Sequence, residues 1–330
     1  MKQKIAIIGA GLSGVLLGQS LSPMADVTIF EKSRGVGGRM CTRYADPFYF
    51  DHGTQFFTAR TKKFNQFIKP YIDGGIISEW AGKVITFNEN KSISNRIWFE
   101  PHYVANPNMN YLCKKISEQL NIVVNTEIAP LPQRKSNGWS LTDKTGADIG
   151  LFDMVISTAP PEQTARLFGE YLPKDCPIRT VEFQGQYTLM LGFKKPWENK
   201  WIAARINNSP LEWISINSTK PKRNRDITSI LIHSTADWAD AHMDDNVDES
   251  GTFLLNEFSK LTGIDCTTSD FFATHRWKYA HKKGDKIFEP FYDTPNKLIA
   301  IGDWSSASRI EDIWISATKL SKLLITTLSQ

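Results

Sequence analysis

Apolar residues along the chain fall into two recurring patterns. Short continuous runs occur at Ile5-Ala6-Ile7-Ile8, Val27-Thr28-Ile29-Phe30, Ile122-Val123-Val124, Met154-Val155-Ile156 and Leu298-Ile299-Ala300-Ile301. Each has the form of a strand buried on both faces. Helical spacing follows the first run, at Leu16, Leu17 and Leu21, and returns over 58–70 with Phe64, Phe67 and Ile68 on one side. It recurs over 108–120 (Met109, Leu112, Ile116, Leu120), near 248–261, and in a last helix carrying Ile313, Ala317, Leu320 and Leu324. Residues 75–105 alternate between turn residues, which predicts short strands, and two more such stretches lie around Trp139-Leu141 and Ile149-Phe152. Between 180 and 290, strand-like runs (Thr188 to Phe193, Ile227 to His233) dominate.

The first two runs enclose Gly9-Ala10-Gly11-Leu12-Ser13-Gly14, and the second ends at Glu31. A GxGxxG between a strand and a helix, with an acidic residue closing the next strand, is a dinucleotide signature. Gly9 permits the tight turn, Gly11 lets a pyrophosphate approach the backbone, and Gly14 lets helix and strand pack closely. The N–H groups of Leu12, Ser13 and Gly14 open the helix towards the phosphates. Glu31 can accept from both ribose hydroxyls. The basic start followed by Ile5 to Gly18 also has the outline of a secretion signal, but the strand–turn–helix reading accounts for the same residues better.

Strand-plus-helix units at both chain ends, with a strand-rich region between them, predict an α/β protein. A discontinuous Rossmann-type domain covers 1–70, 106–160 and 295–330. An inserted α+β substrate domain with a mixed or antiparallel sheet covers 71–105 and 161–294. The strand at 298–301 completes the N-terminal sheet.

Composition narrows the function. The chain has 330 residues, 41% of them hydrophobic and 22% charged, which suits a folded protein of about two domains. The net charge of +4 is small and evenly spread, so nucleic acid is not an expected partner. Cys41, Cys113, Cys176 and Cys266 lie far apart with no CxxC pair, so neither a disulfide framework nor a zinc site is expected, and a reducing cytoplasmic setting is. No run reaches the length of a membrane span. HExxH, P-loop and GxSxG motifs are absent, and so is a second GxGxxG.

After Glu31 comes Lys32-Ser33-Arg34-Gly35-Val36-Gly37-Gly38-Arg39-Met40. This resembles the RxGGR segment of the FAD-binding amine oxidase superfamily. Asp51-His52-Gly53-Thr54-Gln55-Phe56-Phe57 resembles the family's D-x-G-x-Q-[YF] segment, and Gly302-Asp303 its late GD motif. The middle of the chain, at Asn217-Ser218-Thr219-Lys220-Pro221, Ile232-His233-Ser234-Thr235 and His275-Arg276-Trp277-Lys278-Tyr279-Ala280, is similar to the renalase-like branch. The resemblance covers nearly the whole chain. It implies a glutathione reductase-like domain binding FAD non-covalently. The residues it assigns to the cofactor are Gly9, Gly11, Leu12, Ser13, Gly14, Glu31, Lys32, Gly38, Arg39, Met40, Thr54, Gln55, Phe56, Ile128, Gly302, Asp303 and Ile313. Ile128 would meet the adenine through its backbone, Thr54 to Phe56 would pass beside the isoalloxazine, Asp303 would hold a ribityl hydroxyl, and Ile313 starts the last helix near the pyrimidine. Two positions depart from the pattern: His52 replaces an apolar residue and Asp312 a glycine. Asp312 either caps its helix or faces the ring, and capping is the expectation.

The resemblance further implies oxidation of 2- or 6-dihydro isomers of NAD(P)H to NAD(P)⁺, with electrons passed to oxygen to give hydrogen peroxide. Amine or polyamine oxidation, carotenoid-type desaturation and non-catalytic flavin binding are the alternatives. Trp277, with His275 and Tyr279 on one strand face by alternation, either walls the substrate pocket or packs in the core. Gln55 can orient a carboxamide or bond the flavin edge. His233 is a further candidate beside a structural reading. The basic run Lys220-Pro221-Lys222-Arg223-Asn224-Arg225 reads as a solvated loop, with phosphate capture as the other possibility.

Overall fold

The computed structural model describes residues 2–89 and 92–329. The chain forms two compact units: 1–38, 113–182 and 282–330 in the first, 39–112 and 183–281 in the second.

The first unit is built on a six-stranded sheet in the order Phe291–Asp293, Leu298–Ala300, Met154–Ser157, Lys4–Ile8, Asp26–Phe30, Asn121–Val123. All neighbours run parallel except the edge strand Phe291–Asp293. The strand near the C-terminus does complete the sheet, with Ile299 level with Ile156. Ile5, Ala6, Ile7, Val155, Ile156, Leu298 and Ala300 are buried, as continuous apolar runs in a parallel sheet require. Helix Leu12–Leu21 follows the first strand, and helix Ile310–Leu328 packs against it.

The second unit has a seven-stranded mixed sheet in the order Phe271–Lys282, Phe183–Phe193, Thr228–Ser234, Leu211–Ile216, Trp201–Ile206, Lys83–Phe87, Ile93–Arg96. Alternation divides its two faces. Tyr187, Leu189, Leu191, Ile230, Ile232 and Ile214 join Leu254 and Phe258 of helix Val247–Thr262 in one core. The intervening residues Thr188, Met190, Leu231, His233 and Trp213 therefore face the other way. Ribbon Arg43–Ala45/Phe48–Phe50 covers part of that second face, with Phe48 and Phe50 packed on Met190 and Leu231.

The unit boundaries differ from those the sequence suggested. Residues 39–70 go with the second unit because Phe48 and Phe50 bury their rings on its sheet, an apolar gain of about 2–3 kcal/mol for each ring. Residues 106–112 follow because the Met109 N–H is donated to Asp51. Residues 161–182 and 282–294 join the first unit. There Thr164 bonds Ser157, Leu131 N–H bonds the Leu167 carbonyl, and Phe291–Asp293 is the sheet's edge strand. The helix expected over 108–120 is shorter, Tyr111–Ile116, since the Met109 N–H is taken by a carboxylate and the Leu120 N–H turns back to Ser117.

Candidate functional site

In the first unit, Gly11 is the N-cap of helix Leu12–Leu21, and no side chain caps the helix's free N–H groups. A Cβ on Gly11 would meet no heavy atom within 4 Å, so the backbone borders open space at a helix N-terminus. That is the geometry a pyrophosphate uses. Gly14 has the opposite surroundings, since a Cβ there would overlap the Gly9 carbonyl oxygen. Gly9 itself turns with φ of 106°. Leu12 and Ser13 are buried behind the turn.

Glu31 is buried, and its carboxylate accepts from Ala10 N–H (2.8 Å) and Ser33 N–H (2.8 Å). It therefore braces the glycine turn, and a carboxylate with about four acceptor sites still has capacity for hydroxyls. Loop 33–38 lies on the turn: Gly37 N–H donates to the Ala10 carbonyl at 2.9 Å, and Gly38 sits against the Gly11 Cα. Lys32 reaches Gln163 instead, at 3.4 Å. Ile128 is buried and pairs with Asp143 in an isolated antiparallel bridge, and the Glu31 N–H donates to the Val123 carbonyl at 2.9 Å. Asp303 is buried, and the neighbouring Trp304 holds its indole N–H buried with no partner. Ile313 lies in the first turn of the last helix. An open helix N-terminus, a braced acidic residue and an orphaned indole donor together fit a dinucleotide cofactor.

Asp312 does not cap. The N-cap of its helix is Arg309, whose side chain makes no capping hydrogen bond, and Asp312 forks the Arg309 guanidinium at 2.7 and 3.0 Å. An arginine three residues earlier out-competes the backbone for this carboxylate because the paired contacts are both charge-assisted.

Arg39, Met40, Thr54, Gln55 and Phe56 belong to the second unit. The Arg39 guanidinium donates to the carbonyls of Tyr279 (3.2 Å) and Ala280 (3.3 Å) and lies over the Phe183 ring. Met40 is buried, and the Thr54 N–H donates to the Arg39 carbonyl at 2.8 Å. Phe56 enters an aromatic group with Trp98, His102 and Trp213.

The candidate catalytic residues come together here. The Gln55 side-chain amide donates to the carbonyls of Asp51 and Gly53 and lies 3.3 Å from His233 Nε2. Trp277 is half-buried, outside the core. Its ring stacks on His52 at 5.3 Å, its N–H donates to the His52 carbonyl at 3.1 Å, and His275 meets its edge. The Cys41 Sγ lies 3.3 Å from His52 Nε2. Burial, with His281, Lys220 and His52 adding to it, pushes His233 down to about 3. Burial and then His275 push His52 down to about 4. Burial and Arg43 lower His275 as well. All three imidazoles are neutral at pH 7.

Sequence reasoning missed the centre of this region. Asp51 and Lys220 have wholly buried side chains 3.1 Å apart, and Arg223 reaches the same carboxylate oxygen at 2.8 Å. Burial opposes ionisation of Asp51, but Lys220, Arg223 and the Met109 N–H more than offset it and hold the carboxyl well below its usual range. Burial lowers Lys220 to about 8 against the pull of Asp51. Of the four cations in the basic run, only Lys222 and Arg225 are exposed. Among the described residues no cluster of potential metal ligands occurs, and no helix is long and apolar enough to cross a membrane.

Comparison with known proteins places this geometry in context. Residues 7–71 match the family of NAD(P)-binding Rossmann-like domains. Among solved structures, the chain is similar to wild-type putrescine oxidase bound to putrescine, at 10% identity over 99% of both chains and a TM-score of 0.73. It is similar to cyclohexylamine oxidase from Brevibacterium oxydans IH-35A, at 11% identity over 98% of this chain and 100% of the other, with a TM-score of 0.72. An oxidoreductase from Methanosarcina mazei gives 11% identity over 97% and 100% of the two chains, with a TM-score of 0.71. The chain thus has the mixed α/β fold of these oxidoreductases, built around a Rossmann-like domain of the NAD(P)-binding type.

Proposed function

We propose that the chain is an FAD-dependent oxidase that binds its flavin without a covalent link and takes hydride from a small reduced substrate. The best candidates are the 2- or 6-dihydro isomers of NAD(P)H. Gly11, Leu12, Ser13 and Gly14 would hold the pyrophosphate, Glu31 the ribose and Asp303 a ribityl hydroxyl. FAD, when bound, supplies the two-electron acceptor. Loss of hydride turns the dihydropyridine into an aromatic pyridinium, so the chain need not supply a base. Oxygen, taking two electrons and two protons, gives hydrogen peroxide.

The observation that carries this choice of substrate is the charge around Gln55, His233 and Trp277. The carboxylate in this group is Asp51, and four donors already occupy it. Its neighbours are neutral histidines, a lysine and an arginine. A protonated amine would find no negative partner here, and its desolvation would go uncompensated. A neutral dihydronicotinamide suits neutral imidazoles and the Trp277 indole. Amine oxidation is the second reading, favoured by the fold shared with putrescine and cyclohexylamine oxidases.

Anaerobic mixing of the flavin-loaded protein with each donor class tests the proposal. Dihydronicotinamide isomers are expected to bleach the flavin, and putrescine and cyclohexylamine are not. Bleaching by amines alone would establish the second reading, and no bleaching by either would reject both.

A further inference from the structure

The Asp51 carboxylate accepts four hydrogen bonds from three separate stretches of chain. One oxygen accepts from Thr42 Oγ1 (2.8 Å) and the Met109 N–H (2.9 Å). The other accepts from Lys220 Nζ (3.1 Å) and Arg223 Nη2 (2.8 Å). Arg223 is itself braced on the Pro221 carbonyl at 3.0 Å, and the Lys220 ammonium lies over the Trp80 ring. The cluster holds two cations and one anion, all nearly or wholly buried. Replacing a buried ion cluster with well-packed apolar residues is often neutral or stabilising, so stability alone is a weak reason for such a cluster.

What the cluster does locally is immobilise Asp51, whose backbone carbonyl accepts from the Gln55 amide. With a second bond from that amide to the Gly53 carbonyl at 2.9 Å, the orientation of the carboxamide is settled. A flipped amide would set its oxygen against two carbonyl oxygens. The consequence is that Gln55 Oε1 is buried without a partner, on a residue only 7% exposed. A buried carbonyl left unpaired is costly unless a ligand supplies a donor.

We propose that Lys220 and Arg223 are positioning residues: acting through Asp51, they hold Gln55 Oε1 in place as the acceptor for an N–H or O–H of the bound substrate. This rests on the oxidase reading for the identity of the substrate, with the carboxamide N–H of a dihydronicotinamide as the matching donor. Lys220 and Arg223 need touch nothing that reacts.

Two measurements on the flavin-loaded protein separate this proposal from the oxidase reading. The first needs no turnover. The side-chain amide protons of Gln55, assigned by their disappearance in Gln55→Leu, are followed by hydrogen exchange in protein labelled with ¹⁵N at glutamine side chains. Slow exchange is expected in the parent, and exchange at least tenfold faster in Lys220→Met, which leaves Asp51 paired with Arg223. The second is steady-state kinetics with 6-dihydro-NAD. Lys220→Met is expected to raise KM at least tenfold with a smaller change in kcat, and the Lys220→Met/Gln55→Leu double variant to be no worse than Gln55→Leu alone. Unchanged exchange in Lys220→Met, or effects that add in the double variant, would overturn the proposal. Loss of protection in a protein whose parent fails to oxidise 6-dihydro-NAD would leave the positioning role standing and reject the oxidase reading. If Lys220→Met does not fold, Arg223→Gln replaces it. Failure of both to fold would assign the cluster to stability alone and also overturn the proposal.

Discussion

Acidification is the perturbation for which the structure sets both a sign and a size. His52 is held at about 4 and His233 at about 3, against 6.5 for an unperturbed imidazole, in each case mainly by burial. Both folded-state values lie below the unfolded one, so the unfolded chain binds more protons as the pH falls below about 6.5. Stability is therefore at its full value above that pH and is lost on the way down towards the folded values. Each site contributes a slope of about 1.4 kcal/mol per pH unit in that window, so the pair contributes about 3 kcal/mol per unit between pH 6 and 4. Typical domains have about 5–15 kcal/mol to lose. By pH 3 the two sites together can remove about 8 kcal/mol, enough to unfold a second unit whose stability lies in the lower half of that range. The lowered values of His275 and His102 act in the same direction. Asp51 extends the loss further, because its depressed carboxyl contributes stability that disappears below about 3.8. Urea midpoints read by tryptophan fluorescence from pH 7 to 4 measure the slope, and His233→Gln should reduce it by about one proton. A midpoint independent of pH between 6.5 and 5, or an unaltered slope in His233→Gln, would refute the account of these histidines as buried and neutral.

Two glycine substitutions should separate folding from cofactor binding. Gly11→Ala places its methyl in open space, so melting should hardly change while flavin affinity falls at least tenfold by equilibrium dialysis. Gly14→Ala drives a methyl into the Gly9 carbonyl, so thermal stability and flavin binding should fall together. Asp312→Asn breaks a pair in which Arg309 is 44% exposed and should cost less than about 1 kcal/mol by thermal melting, without shifting the potential of the bound flavin. Trp277→Ala should slow anaerobic flavin reduction by dihydronicotinamide at least tenfold while leaving flavin content intact. An equal rate would remove Trp277 from the substrate site.

The dinucleotide half of the protein was legible because its signal is local. The runs at 5–8 and 27–30, the glycines between them and Glu31 form one continuous stretch, and each residue's role follows from the backbone it must permit. The alternation that set His275, Trp277 and Tyr279 on one face survived for the same reason, since period two is a property of any strand. Asp312 was less legible: a cap was expected, but a side-chain guanidinium three residues away took its carboxylate.

The basic run at 220–225 shows what lay beyond reach. Read in isolation, four cations in six residues belong in water. In the folded chain the side chains of Lys220 and Arg223 are buried, while Lys222 and Arg225 are exposed. What divides them is Asp51, a residue 169 positions away from Lys220. Apolar periodicity is written into consecutive residues, and so the sequence by itself determined the strands, the glycine turn and the alternation of faces. Whether a charge is buried depends on a partner that only the tertiary fold brings to it, and so the Asp51 cluster, the neutral histidines and the oriented carboxamide of Gln55 were decided there.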